Sequence, residues 1–176
     1  MTTITVFAPT LRYSESMERA QTSCLECVER ADRAFCDLPS DVLREFDGLK
    51  TVVSHPRGTI LFREGQPARE IFVMCGGRGR LSVCSEDGDR LTLRAVGPGE
   101  ILGLSAALAG GCHEMSAELL EDSSVAVIKR KDLLPFLQAH REACLQVVNL
   151  LSQDLHFAYD RVRAVGLGRG RRARVH

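Results

Sequence analysis

The spacing of apolar positions changes along the chain from helical to strand-like and back to helical. Between Lys50 and Arg130, short apolar runs alternate with turn-forming stretches such as Gly97-Pro98-Gly99. Such alternation is typical of β-strands joined by tight turns. The strand candidates are TVVSH, GTILF, EIFVMC, RLSVCS, RLTLRAV, MSAELL and SVAVIK. Many short strands at regular spacing predict a closed sandwich or barrel, because closure protects the strand edges.

Short helices are predicted on both sides of the strand region. In LPSDVLREFDGL, Ser40 is expected to cap a helix that Gly48 ends. The apolar face of that helix consists of Val42, Leu43 and Phe46. Further along, KDLLPFLQAH predicts a second short helix. Pro135 is expected in or near its first turn, where a missing N–H costs least.

The segment REACLQVVNLLSQDLHFAYDRVRAVG has the period of one long helix. Its apolar residues recur at alternating intervals of four and three, as in a two-stranded coiled coil. Gly166 and Gly168 are expected to end the helix. We therefore expect a parallel homodimer through residues 140–166, and the alternative is a helix packed on its own domain. The predicted dimer seam consists of Cys144, Val148, Leu151, Leu155, Ala158, Val162 and Val165.

The composition fits one globular domain with additional helices. The chain has 176 residues, of which 44% are hydrophobic and 26% are charged, and its formal net charge is zero. The N-terminal residues lack the pattern of a secretory signal, and no segment approaches the roughly 20 apolar residues of a membrane span. We expect a cytoplasmic protein without membrane association. From Arg161 onward there are six arginines and no acidic residue, which predicts a basic tail.

The cysteines point to thiol or metal chemistry. Seven cysteines occur in a chain without a secretory signal, a setting that favours thiols and metal ligands over disulfides. Cys24 and Cys27 form a C-x2-C pair, and Cys36 follows after eight further residues. Two thiolates at this spacing can turn toward one metal, and a third can complete most of a tetrahedral shell.

The order of these elements, together with two motifs, resembles the sensor half of the Crp/Fnr transcription regulators. GTILFREGQPAREIFVMCGGRGRLSV resembles the early part of that family's roll, and GPGEILGLSAALAG resembles its phosphate cassette. The resemblance covers roughly residues 38–165. It implies a mainly β fold with flanking helices, in which a double-stranded β-helix (a jelly roll of the cyclic-nucleotide-binding type) precedes a long dimerisation helix.

The implied organisation has four parts. They are an N-terminal arm with the cysteine cluster over 1–36, the roll over 37–139, a coiled-coil dimerisation helix over 140–166 and a basic tail over 167–176.

The segment that resembles the phosphate cassette keeps the overall pattern of the family's cassette. It lacks two of the residues that hold the ligand in the family. Members that bind cyclic nucleotides carry Gly-Glu-x-x-Gly-Glu, followed by Arg-Ser-Ala; the second Glu meets the ribose 2′-hydroxyl and the Arg pairs with the cyclic phosphate. Here Leu104 replaces that Glu and Met115 replaces that Arg. We do not expect cyclic-nucleotide binding, because an uncompensated phosphate in a partly dry pocket is costly. The degenerate cassette positions are Gly99, Glu100, Gly103, Leu104, Met115 and Ser116.

The cysteine segment resembles the arm of Fnr-type oxygen sensors. In those proteins three arm cysteines and one cysteine of the roll hold an oxygen-labile [4Fe–4S] cluster. The resemblance assigns Cys24, Cys27 and Cys36 to such a cluster, although the family's roll cysteine falls near Ala126. Zinc on the same cysteines, or ordinary reduced thiols, are the alternatives.

The fourth ligand must then come from another position. We expect Cys112, in the loop after the cassette, with Cys75, Cys84 or an oxygen of Asp37 as alternatives. Loss of the cluster, or oxidation of the thiols, is expected to alter the register of the long helix in the dimer or to weaken the dimer.

Crp/Fnr regulators continue into a winged helix-turn-helix that reads the DNA major groove, whereas this sequence closes on GLGRGRRARVH. From the sequence we expect that the C-terminal end is truncated or frame-shifted. DNA contact is then expected only through an output domain that is absent here. The chain is also expected to dimerise with a full-length relative and thereby inactivate that relative. The alternative is a weak, salt-sensitive phosphate-binding tail formed by Arg169, Arg171, Arg172 and Arg174.

Other function classes find less support. Cupin-type enzymes bind metal through clustered His and Glu on adjacent strands, and this roll offers only His55 in a turn and His113 in a loop. We find no Ser/His/Asp order, Walker loop or paired-carboxylate motif. We expect a regulatory sensor and not an enzyme, with a plain protein-interaction module as the remaining alternative.

Overall fold

The structure, a computed structural model, describes residues 23–27, 35–85 and 87–172, with side chains described as far as Ala164. The predictions for the first part of the arm and for the side chains of Val165 and the tail arginines lie outside the described residues. In chain order the elements are α1 (Ser40–Leu49), β1 (Thr51–His55), β2 (Ile60–Phe62), β3 (Glu70–Gly76), β4 (Gly79–Cys84), β5 (Arg90–Val96), β6 (Ile101–Leu102), α2 (Leu104–Ala109), β7 (Ser116–Leu119), β8 (Ser123–Lys129), α3 (Arg130–Ala139) and α4 (Arg141–Arg172).

Two four-stranded antiparallel sheets form a jelly roll. The strand order is β1-β8-β3-β6 in the first sheet and β2-β7-β4-β5 in the second. The predicted roll followed by a long helix is therefore confirmed. Each of the seven strand candidates overlaps one strand, and the eighth strand, β6, was missed because two residues carry no detectable period.

Alternate residues of β3 belong to two separate hydrophobic clusters. Phe72 and Met74 pack between the two sheets, whereas Ile71 and Val73 pack on the outer face of the first sheet. Cys75 also packs on the outer cluster. Side chains alternate along a strand, and both faces of β3 are covered. The strand is therefore a continuous apolar run in the sequence rather than an alternating one.

The outer cluster joins the helices to the first sheet. It contains Phe35 from the segment before α1, Phe46 of α1, Phe136 of α3 and Val147 of α4. The predicted apolar face of α1 is confirmed, since its buried residues are Val42, Leu43 and Phe46.

The ends of α1 differ from the prediction. Pro39, and not Ser40, holds the N-cap position, and its carbonyl accepts a hydrogen bond of 2.8 Å from the Leu43 N–H. The helix also continues past Gly48 to Leu49. Glycine is a weak stop when the neighbouring residues are packed, because it costs a helix only about 1 kcal/mol relative to alanine.

The two C-terminal helices also depart from the prediction. Pro135 lies inside α3 rather than in its first turn, and burial of Phe136 and Leu137 beside it offsets the loss of one backbone hydrogen bond. α4 runs through Gly166 and Gly168 to Arg172. The predicted helix end, and with it the boundary between the helix and a separate basic tail, is wrong because glycine keeps the backbone N–H and costs only about 1 kcal/mol.

Two glycines with the same backbone conformation test the packing of the first sheet. Gly77 has φ +86°, and a Cβ there would lie 2.1 Å from Ser123 Oγ, whereas Gly58 has φ +85° and no atom within 4 Å of its Cβ position. Gly58→Ala should cost about 1 kcal/mol of unfolding free energy, which is the left-handed penalty alone. Gly77→Ala should cost about 2 kcal/mol more, because Ser123 must move. Urea unfolding of both variants measures the difference, and equal losses would contradict this packing.

Candidate functional site: a cysteine pocket and a roll cavity

Four cysteines line one cavity on the outer face of the first sheet. Its volume is about 70 Å³, and we call it the cysteine pocket. It lies where the arm and α1 meet β3 and β8. Its lining residues are Cys24, Cys27, Phe35, Cys36, Phe46, Lys50, Val73, Met74, Cys75, Gly99 and Ala126.

Asp47, near the end of α1, fixes the described part of the arm. Ser23 Oγ donates to one oxygen of Asp47 and the Cys24 backbone N–H donates to the other, both at 2.9 Å. Lys50 Nζ lies 2.5 Å from Asp47 Oδ1 and donates to Cys24 Sγ at 2.9 Å. The side chain of Lys50 is only 8% exposed. The first arm cysteine is therefore anchored to α1 by a charged pair.

This environment shifts three pKa values. Burial raises the pKa of the Cys24 thiol to about 11, although the Lys50 ammonium opposes the shift. Burial also disfavours ionisation of Asp47, but hydrogen bonds from Lys50, Cys24 and Ser23 outweigh it and hold the Asp47 pKa at about 2. Burial lowers the pKa of Lys50, and Asp47 and Cys24 together outweigh this effect and raise it. Each shift follows from the closed contact of the arm with α1.

The structure brings the three arm cysteines of the sequence prediction together with Cys75 and not with Cys112. Cys112 is exposed and pairs in an isolated bridge with Pro67, away from the pocket. Cys84 is exposed at the end of β4, and Asp37 is also exposed. The sequence carried a signal for Cys75, since it has the same strand parity as Ile71 and Val73 of β3.

No preformed metal site exists among the described residues. No three of their His, Cys, Asp and Glu side chains gather so that they could hold a metal ion. The four cysteines line the same cavity. Ala126, whose Cα is paired with Val73 across β8 and β3, lines the same pocket.

A second cavity, the roll cavity, lies between the strands of the roll, α2 and α4. Its volume is about 290 Å³. Its lining residues are Phe62, Leu81, Leu93, Arg94, Ile101, Leu102, Gly103, Leu104, Ser105, His113, Glu114, Met115, Asp154, Phe157, Ala158 and Arg161. Three of the six predicted cassette positions, Gly103, Leu104 and Met115, line this cavity.

The other three cassette positions have structural contacts of their own. Glu100 pairs with Arg94 and accepts a hydrogen bond of 2.5 Å from the Gly97 N–H. Ser116 Oγ accepts a hydrogen bond of 2.9 Å from the Glu64 N–H. Gly99 lines the cysteine pocket instead. Each of these three positions therefore has a contact outside the roll cavity.

The charged groups at the mouth of the roll cavity already have partners. Arg94 pairs with Glu100 and lies 3.6 Å from Asp154 of α4. Arg161 donates to the Thr92 carbonyl at 3.1 Å. These contacts hold α4 against β5. The residue in the place of the family's phosphate-binding arginine is Met115, which packs in the inter-sheet cluster.

The exposed apolar stripe of α4 only partly coincides with the predicted seam. Val148, Leu155 and Val162 are more than half exposed, but Leu151 packs on the outer cluster and Ala158 lines the roll cavity. Cys144 is exposed, and the side chain of Val165 is outside the described residues. The α4 stripe, defined as the large apolar residues that are more than half exposed, consists of Leu145, Val148, Leu155, Tyr159 and Val162. With Ser152 these residues again follow a heptad spacing.

Comparison with known proteins assigns the fold to a family. The model of the cyclic nucleotide-binding domain matches residues 52–140, which is half of the chain. The chain belongs to the Crp/Fnr group of this domain family. This match identifies the fold of the domain and does not identify its ligand.

Two relatives cover part of the chain. A cyclic AMP receptor protein of Thermus thermophilus is 29% identical over 106 residues, spanning 57% of this chain and 49% of the relative. An anaerobic regulatory protein of Bacillus subtilis is 27% identical over 127 residues, spanning 72% and 53%. The chain therefore spans about half the length of the curated relatives it matches. Their names describe a receptor protein and a regulatory protein.

Solved structures agree on the fold. The catabolite activator protein of Thermus thermophilus matches with a TM-score of 0.69 at 22% identity, covering 76% of this chain and 62% of that one. A cyclic nucleotide-binding domain from Methylobacillus flagellatus matches with a TM-score of 0.71 at 20% identity, covering 82% and 85%. Within the described part of the chain, no helix combines the length and hydropathy needed to cross a bilayer.

Proposed function

We propose that this chain is the sensor domain of a Crp/Fnr-type transcription regulator and that it responds to oxygen or redox state through the cysteine pocket. One observation carries the proposal: cysteines from the arm, from the segment before α1 and from β3 line one cavity. The name of the Bacillus subtilis relative, an anaerobic regulatory protein, supports the same input.

Cyclic AMP, which the name of the Thermus relative mentions, is not part of this proposal. Leu104 and Met115 stand where a carboxylate and a guanidinium would be needed, and Leu104 is only 5% exposed. A cyclic phosphate in the roll cavity would lose its hydration without gaining an ion pair.

The donor set of the cysteine pocket suits an iron–sulfur cluster better than a single zinc ion. Such clusters are held by four cysteine thiolates, and the pocket offers Cys24, Cys27, Cys36 and Cys75. A tetrahedral zinc ion, with Zn–S distances of about 2.3 Å, needs sulfurs about 4 Å apart. A cluster distributes its thiolates over several irons, so its four cysteine sulfurs lie farther apart than those around one zinc ion.

The residues of the chain have distinct roles in this proposal. Asp47 holds the turn at Cys24, and the Lys50 ammonium, which donates to Cys24 Sγ, opposes the rise in the Cys24 pKa that burial causes. Cys75 belongs to the first sheet, so a group held by these four cysteines would link the arm to the roll. When bound, an iron–sulfur cluster would supply an oxygen-labile element at that link.

The output is proposed to be a homodimer through α4. The α4 stripe leaves five large apolar side chains exposed along one face, and its heptad spacing suits a second copy of the same helix. This stripe replaces the sequence-predicted seam, since Leu151 packs on the outer cluster and Ala158 lines the roll cavity. DNA recognition by such a regulator would fall to an output domain outside the described residues.

Metal content tests the cysteine pocket. Purified without oxygen, the wild-type chain should contain about four irons and four acid-labile sulfides, with visible absorption that bleaches in air. Cys75→Ala should lose most of the iron because one of four ligands is gone. Cys112→Ala, a matched loss of a thiol outside the pocket, should retain it. Because Ala126 lines the same pocket from β8, Ala126→Cys should restore iron to the Cys75→Ala chain.

The outcomes separate the function from the ligand assignment. A wild-type chain that takes up neither iron and sulfide nor zinc contradicts the proposed sensor chemistry. A wild-type cluster that persists in Cys75→Ala and is lost in Cys112→Ala contradicts the assignment of Cys75 alone.

Sedimentation equilibrium tests the dimer. Leu155→Arg places a charge in the middle of the α4 stripe and should raise the dimer dissociation constant at least about 30-fold, or about 2 kcal/mol, because the buried charge has no partner. Asn149→Arg adds the same charge at an exposed position of α4 outside the stripe and should change the constant less than about threefold. Equal effects of the two variants would show that the stripe is not the interface.

A further inference from the structure

We propose that Cys24 and Lys50 form a covalent N–O–S bridge when the chain is exposed to dioxygen. In this bridge one oxygen atom joins Cys24 Sγ to Lys50 Nζ. The modification goes beyond the proposed function, because it needs no metal. A bridged Cys24 has no thiolate to offer, so the bridge and a metal bound by Cys24 exclude each other.

The two atoms that the bridge joins are already in contact. Lys50 Nζ donates to Cys24 Sγ at 2.9 Å, so one oxygen can enter between them through small side-chain rotations. One oxygen of Asp47 fixes both partners. Asp47 Oδ1 lies 2.5 Å from Lys50 Nζ and accepts a hydrogen bond of 2.9 Å from the Cys24 backbone N–H. Groups that are held in position in this way react much faster than free groups.

The cysteine pocket provides space for the oxidant beside this contact. Cys24 and Lys50 both line the pocket, whose volume is about 70 Å³. A water molecule takes up about 30 Å³ in the liquid, so a diatomic molecule fits. The side chains of Phe35, Phe46 and Val73 make much of the lining apolar. Dioxygen is apolar and therefore favours this space over water.

The reaction balances with dioxygen as the oxidant. The Cys24 thiol, the Lys50 ammonium and one O₂ give the bridge, one water molecule and one proton. The S–H bond, two N–H bonds and the O–O bond break, while an S–O bond, an N–O bond and the two O–H bonds of water form. Sulfur and nitrogen each lose two electrons, and the two oxygen atoms together gain four. The proton leaves to solvent.

The environment of Cys24 makes the reaction slow. Burial raises the pKa of Cys24 to about 11, so this residue is a thiol at neutral pH. Oxidants attack a thiol more slowly than a thiolate. We therefore expect the bridge to accumulate over hours in air, and not at the first contact with oxygen.

Peptide mass mapping of the whole chain tests the bridge. The chain is prepared without oxygen and stripped of metal with a chelator, and one half is then exposed to air. Trypsin separates residues 20–30, which contain Cys24, from residues 45–57, which contain Lys50 and no cysteine. A link between these two peptides is therefore not a disulfide. Because the chain is free of metal, the result does not depend on the proposed iron–sulfur cluster.

The bridge has a distinct mass. The linked pair should be at least about tenfold more abundant in air than without oxygen, and about 14 Da heavier than the sum of the two peptides, since one oxygen is gained and two hydrogens are lost. Under ¹⁸O₂ the linked mass should rise by about 2 Da more, because the bridging oxygen comes from dioxygen. Dithiothreitol should restore both peptides, and fragment ions should place the link at Cys24 rather than at Cys27.

Two lysine variants provide the matched comparison. Lys50→Arg keeps a positive charge beside Asp47 but lacks the primary amine, so it should form no link. Lys131→Arg removes an exposed primary amine elsewhere and should leave the yield within about twofold. If Lys50→Arg does not fold, the ¹⁸O₂ result on the wild-type chain decides alone.

Three results would overturn the proposal. The first is a wild-type chain whose cysteines oxidise in air only to disulfides while Lys50 stays free. The second is a link between Cys24 and Lys50 that contains no added oxygen, which would be a direct S–N bond. The third is an equal yield of the linked peptides in the wild-type chain and in Lys50→Arg.

Discussion

Contact between three phenylalanine rings ties the input region of this molecule to its long helix. The Phe35 ring, next to Cys36, packs on Phe46 of α1 with centroids 4.9 Å apart, and Phe46 packs on Phe136 of α3 at 5.6 Å. Phe136 in turn packs on His140 at 4.8 Å, immediately before α4. Since Phe35 and Phe46 also line the cysteine pocket, any change in that pocket acts on a tightly packed row that ends at the start of α4.

The long helix also lies beside both cavities. Its first turns pack on the outer cluster beside the cysteine pocket, through Ala143 and Val147. Its middle closes the roll cavity, where Arg94 holds Asp154 and lies 5.9 Å from the Phe157 ring. The His140–Glu45 contact of 2.8 Å adds a polar link between α1 and the helix junction.

Much of the fold could be predicted from the sequence, because the roll depends on local patterns. Strand period and turn residues located seven strands. The departures arose where tertiary packing outweighs local preference. Glycines did not stop α4, and Pro135 stayed inside α3. Two residues of the expected seam contact their own domain, Leu151 at the outer cluster and Ala158 at the roll cavity. A heptad pattern on one helix cannot show which of two adjacent faces its own domain covers. The C-x2-C pair marked the arm, and Cys75 was one of three alternatives to Cys112 for the fourth position. The sequence could not single out Cys75, because its place beside the arm depends on strand pairing that the spacing of cysteines does not encode.

The most direct test of the account is the dimer dissociation constant, measured by sedimentation on one anaerobic preparation before and after exposure to air. If the cysteine pocket acts on α4 through the phenylalanine row, the constant should change at least about fivefold, and Phe46→Leu, which loosens the row, should reduce that change. An identical constant in both states, in a chain shown to have lost its metal or oxidised its thiols, would contradict the coupling.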